Sequence, residues 1–118
     1  MSFADHLSLI FGRDWSKEAS RIQAAVERIK QLKRAGAYDD AVAVLLKEIE
    51  IQEHDARLKP GWGVAPWYYE QLAIIYRKQK RYADELALLE RYEQQPHAPG
   101  ATPLKLGERL GKAYLRKH

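Results

Sequence analysis

The stretch WYYEQLAIIYRKQKRYADELALLERY, residues 67–92, decides the fold. Its large and small apolar residues recur at Tyr69, Leu72, Ala73 and Tyr76, stop over the basic run Arg77 to Arg81, and resume at Tyr82, Leu89 and Tyr92. Steps of three and four residues place side chains on one face of a helix. The stretch therefore predicts two helices facing each other across a tight basic turn. A copy of the pattern runs through Leu32, Gly36, Tyr38, Ala41 and Leu45, with Tyr38 answering Tyr82 and Leu45 answering Leu89, an offset of 44 (82 − 38). Stacked helix pairs of this kind build a groove for another chain and usually carry no catalytic group of their own.

Outward from this core, a helix is expected from Ser16 to Ala35, with Ile22, Val26, Ile29 and Leu32 as its buried stripe and Gly36 ending it. The next runs from Asp39 to Leu58, with Val42, Leu45, Leu46, Ile49 and Ala56 inward, and Lys59-Pro60-Gly61 stops it. Pro66 opens a helix to Gln79, and Tyr82 begins another that ends at Gln94. Thr102 caps a last helix with Pro103 at its first position, ending near Lys117. At the other end, residues 2–11 read as a short helix with Phe3, Leu7, Ile10 and Phe11 on one face. Such a short helix must dock, either on its own chain or across a symmetric homodimer.

The composition fits this all-α reading. Helix formers dominate, no stretch alternates with a period of two, and with seven Gly, five Pro and 31% charged residues the chain is not of a disordered type. With 118 residues it is sized for one domain. No Cys is present, which removes disulfides and thiolate metal sites and fits a reducing compartment. The start lacks a signal-peptide pattern and the apolar stretch Leu7 to Phe11 is too short to span a bilayer, so a soluble, cytoplasmic protein is expected. A net charge of +4 is a mild basic excess, weak evidence on its own for nucleic acid.

In these features the chain resembles tetratricopeptide repeat proteins. Tyr69-x-x-Leu72-Ala73-x-x-Tyr76 follows the family's first-helix pattern with Ala for Gly, and Leu89 matches on the second helix, where Glu85 stands in place of a small Ala. In the first repeat Tyr38, Ala41 and Leu45 fit, while Ala25, Ile29 and Leu32 fit approximately. Leu110-Gly111-x-x-Tyr114 repeats the Leu-Gly-x-x-Tyr fragment. The resemblance implies two helix pairs, residues 16–58 and 66–95, with an N-terminal helix in 1–15 and a capping helix in 102–118. The family's usual period is about 34 residues. The extra length is expected in the long third helix and the loop to Pro66, and insertions of this kind often map to the binding face.

Carried over by repeat position, the family groove would be lined by Gln23, Val26, Lys30 and Lys33, then by Glu70, Ile74, Arg77 and Lys78. The chain has no Asn, so the family's Asn-containing clamp for chaperone tails is not expected. Two features suggest the partner. Trp67, Tyr68 and Tyr69 cannot all point inward on one helix, and Trp62 lies in a Gly-flanked loop. Either the loop folds back and buries its Trp on the third helix, or Trp62 or Trp67 is an exposed apolar anchor. Lys33-Arg34 and Arg77-Lys78 end equivalent helices, which either complements the helix dipoles or forms a basic ridge. If the ridge is exposed, reversing Arg77 and Lys78 to Glu should leave the melting temperature nearly unchanged.

The expected function is thus a non-catalytic adaptor for an acidic protein or peptide segment with an apolar residue. The expected partner-binding residues are Lys30, Lys33, Arg34, Trp62, Trp67, Ile74, Arg77 and Lys78. The alternative is an accessory nucleic-acid-associated module using the ridge, distinguished by its steep salt dependence. Neither catalysis, nor a metal, nor a cofactor is expected. His6, His54, His97 and His118 are scattered, and Glu50 with His54 makes only half of a metal site. No Gly-rich phosphate loop or Ser nucleophile motif occurs.

Overall fold

A computed structural model describes residues 16–58, 63–96 and 108–112. The expected N-terminal helix, Trp62, and the parts of the expected capping helix before 108 and after 112 lie outside these residues. The architecture is all-α, with α1 at Ser16–Arg34, α2 at Tyr38–Leu58, α3 at Pro66–Lys78 and α4 at Tyr82–Glu93. A further helical segment covers residues 108–112. These bounds fall within a residue of those expected. Among the described residues there is no strand, and no helix is long and apolar enough to cross a membrane.

The chain divides into two compact units, Met1–Ala37 and Tyr38–His118. In the first, Ile29 is the one fully buried residue of the expected α1 stripe, and Ile22, Val26 and Leu32 are half-buried. In the second, α3 packs against both α2 and α4. Its side chains divide cleanly. Tyr68, Tyr69, Leu72, Ala73, Ile75 and Tyr76 are buried, whereas Trp67, Glu70, Gln71, Ile74, Arg77 and Lys78 are half-buried or exposed. Around α2, Ala41, Val42, Leu45, Ile49 and Ala56 are buried as the apolar spacing requires, but Leu46 is only half-buried. Leu86, Leu88, Leu89 and Tyr92 complete the core from α4.

The two helix-ending turns share one hydrogen-bond pattern. After α1, Gly36 N–H donates to Lys33 carbonyl at 3.1 Å and Ala37 N–H to Leu32 carbonyl at 2.9 Å. After α3, Lys80 N–H donates to Arg77 carbonyl at 3.0 Å and Arg81 N–H to Tyr76 carbonyl at 2.8 Å. This pair of bonds closes a helix on a left-handed residue. That residue is Gly36 at φ 73° in one turn and Lys80 at φ 58° in the other. A side chain at Gly36 would meet nothing nearby, so the glycine is there for its φ and not for space.

α2 is the longest of the four helices. α2 has 21 residues against 12 in α4. The loop that follows is held at its exit: Ala65 N–H donates to Gln52 Oε1 on α2 at 3.1 Å, and Val64 N–H to Pro96 carbonyl at 2.7 Å. Val64 itself is fully buried.

Two measurements check this account. Leu72→Ala, at a fully buried position, should destabilise by about 2–5 kcal/mol in denaturant unfolding. Lys80→Gly should stabilise by up to about 1 kcal/mol, since relief of a left-handed conformation worth roughly 1–2 kcal/mol outweighs glycine's added unfolded-state entropy. Gly36→Ala should move the opposite way, and equal signs for the two would discard the shared turn geometry.

Candidate functional site

The second unit is organised around a carboxylate inside it. Glu53, on the extra turns of α2, is buried and accepts a hydrogen bond from the Tyr69 hydroxyl of α3 at 2.8 Å. It also accepts two from Arg91 of α4, Nε to Oε2 and Nη2 to Oε1, each 2.7 Å. A bidentate guanidinium pair of this length is the strong, charge-assisted kind. Tyr69 and Tyr92 rings lie 5.0 Å apart beside it. Burial, then the bond to Glu53, pushes the Tyr69 phenol far above its ordinary value. Arg91 holds its proton more tightly than usual, chiefly through the hydrogen bond to Glu53. Burial likewise raises Tyr76 and Tyr92. The cluster ties α2, α3 and α4 together through one carboxylate.

The basic turn after α3 is similarly engaged. Arg77 Nε lies 3.4 Å from Oε2 of Glu85, which is fully buried in the first turn of α4. Lys78 Nζ donates to the Tyr38 hydroxyl at 3.4 Å and sits 5.4 Å from that ring's centre. Arg81 donates to Asp84 at 2.9 Å and lies over the Tyr76 ring at 4.5 Å. Gln79 donates to Asp39 Oδ1 at 3.0 Å, fastening the end of α3 to the start of α2. The expectation that Arg77 can be reversed without effect on melting is corrected here. Glu in its place would set a second carboxylate beside a buried one, which costs stability.

Among the expected site residues, Lys30, Lys33 and Arg34 belong to the first unit, where Lys30 is exposed with Glu27 at 3.9 Å and Arg34 is exposed. Trp67, Ile74, Arg77 and Lys78 belong to the second and share the side of α3 left by α2 and α4. Trp67 is half-buried, its ring meeting Tyr68 edge-on at 5.3 Å, so it is not a freely exposed anchor. Tyr69 is wholly interior. Glu50 and His54 are both exposed. Among the described residues, no group of three His, Cys, Asp or Glu is placed to hold a metal.

Two features escaped the sequence reading. One is the Glu53 cluster, whose members are 16 and 38 residues apart. The other is a cavity of about 280 Å³ lined by Arg77, Glu108, Arg109 and Lys112. The Leu-Gly fragment at 110–111 drew attention to apolar packing, and Leu110 is indeed buried, but its polar neighbours open onto this cavity. A smaller cleft of about 160 Å³ lies over Tyr76, between Leu46 on α2 and Asp84, Ala87, Leu88 and Arg91 on α4. Compared with known proteins, the chain matches no family model, no curated protein and no solved structure.

Glu53→Ala would leave the buried Tyr69 hydroxyl without its acceptor and Arg91 without its partner. It should cost about 3 kcal/mol, the low end for a broken buried pair, because Arg91 is half-exposed and can hydrate. Alkaline titration gives a second check. The three phenols ionise near 10.0 when unfolded and stay neutral longer when folded, so the folded state keeps more protons above that pH. Stability should be level below it and fall as pH rises past it, with a shallower fall in Tyr69→Phe, measured by urea unfolding up to about pH 11.

Proposed function

We propose that the chain is a non-catalytic helical adaptor of the tetratricopeptide kind, holding an acidic peptide segment against the outer side of α3. The observation that carries this reading is the division of α3. One side is wholly committed to the core, and the other sets Trp67, Ile74 and Arg77 in a line at helical spacing. An aromatic, an aliphatic and a guanidinium group in that order suit a segment that brings apolar contact at one end and negative charge at the other. The charge excess of +4 favours an acidic partner by steering its approach. The matching turns at Gly36 and Lys80 support the repeat reading locally. The nucleic-acid alternative is weaker, because the net charge of +4 is a mild excess and the outer line of α3 carries apolar side chains beside its basic ones.

Selection from a displayed random-peptide library on the full chain tests the proposal. Enriched sequences should combine acidic residues with one large apolar residue. Trp67→Ala and Ile74→Ala should each weaken capture about fivefold or more, with little salt dependence. Lys78→Glu should weaken it mainly at low salt and leave folding nearly intact. Equal capture by all three variants would remove the α3 face from consideration.

A further inference from the structure

We propose that Trp67 and Glu70, one turn apart on the outer side of α3, form a subsite for a basic side chain, Lys or Arg, of the segment held there. The inference rests on the peptide-binding reading for the segment, and on these two residues for the charge it carries at that point. The partner is then dipolar, with a cation near the start of α3 and an anion near Arg77 and Lys78 at its end.

The helix itself gives Glu70 no role. It is the fifth residue of α3, past the first turn in which an acid complements the dipole. The positions three and four residues away are Pro66, Trp67, Ala73 and Ile74, so no cation is within helical reach. Glu70 is half-buried, and among the described residues no hydrogen bond or ion pair joins it. The interior acids of the neighbouring helices differ, since Glu53 has Arg91 and Glu85 has Arg77. A carboxylate that gives up part of its water without a donor in return favours a donor from outside. Trp67 selects the kind of donor. Its ring is half-buried, and Tyr68 meets it edge-on at 5.3 Å, a contact that covers at most one of its two faces. A cation over a Trp face gains an attraction that a neutral donor lacks. The methylene stem of Lys or Arg also suits the apolar surface of Ile74, one turn further on, while its head stays in water. Arg77 and Lys78 stand seven and eight residues beyond Glu70 (77 − 70 and 78 − 70), roughly 10–12 Å along the helix axis. An extended segment covers that span in about three or four residues.

The test is an NMR titration of the full chain with two end-blocked dipeptides, acetyl-Lys-Leu-amide and acetyl-Gln-Leu-amide. They share the apolar residue and differ in charge. Saturable shifts at the Trp67 indole and at Glu70 are expected with the lysine probe. It should bind up to about fivefold more tightly than the glutamine probe, and added salt should narrow that gap. Glu70→Gln should erase the preference without lowering the melting temperature. Trp67→Leu, which keeps apolar bulk and removes the ring, should reduce the preference about twofold. The proposal is overturned if the two probes bind alike, if Trp67 and Glu70 do not shift, or if Glu70→Gln keeps the preference for lysine. Library selection on the full chain then separates this subsite from the groove. Enriched peptides should carry Lys or Arg three or four residues from an Asp or Glu. Lysine-probe binding with no peptide enrichment would uphold the subsite and remove the groove. Enriched peptides that are acidic and apolar alone, and that Glu70→Gln captures equally well, would keep the groove and overturn the subsite.

Discussion

The second unit depends on where the carboxylate of Glu53 can find its three donors. Taking a carboxylate out of water is tolerable only when charge and hydrogen bonds are both returned to it, and here Arg91 supplies the charge and Tyr69 a further bond. Each partner comes from a different helix. Apolar residues alone would let α2, α3 and α4 settle with some latitude, because dispersion and burial are not directional. A bidentate pair and a phenol on one carboxylate fix the rotation of each helix against the others. We read the cluster as a register device rather than a large net source of stability.

The length of α2 has a consequence for the same cluster. Its last turns carry Gln52, Glu53 and Ala56 toward the start of α3 and the body of α4. Glu85 is fully buried, as Ala41 is on α2. The acid is accommodated because Arg77, at the end of the preceding helix, comes within 3.4 Å of it.

The helices were legible because their signals are local. Apolar spacing, Gly36, the Lys59-Pro60-Gly61 break and Pro66 each act within a turn or two, and they located α1 to α4 within a residue. The site was less legible because its parts are polar and far apart in sequence. Nothing near Glu53 distinguishes it from an exposed acid such as Glu50, and only the arrival of Tyr69 and Arg91 does so. Basic residues are hard to read for a related reason. Sequence shows that Arg77, Lys78 and Arg81 are charged, whereas their value for an outside partner depends on Glu85, Tyr38 and Asp84. At Lys80, local preference pointed to glycine, and the bonding of the turn overrode it.

The bond from Val64 to Pro96 joins the backbone just before α3 to the backbone just after α4. The α3–α4 segment is therefore a closed loop whose two ends are tied to each other. In such an arrangement the ends cannot fray independently, since releasing Pro96 also frees Val64 from its buried seat and loosens the strap that Ala65 makes to Gln52. Amide exchange across the segment would then follow one shared opening event, with the helix ends protected nearly as well as their centres.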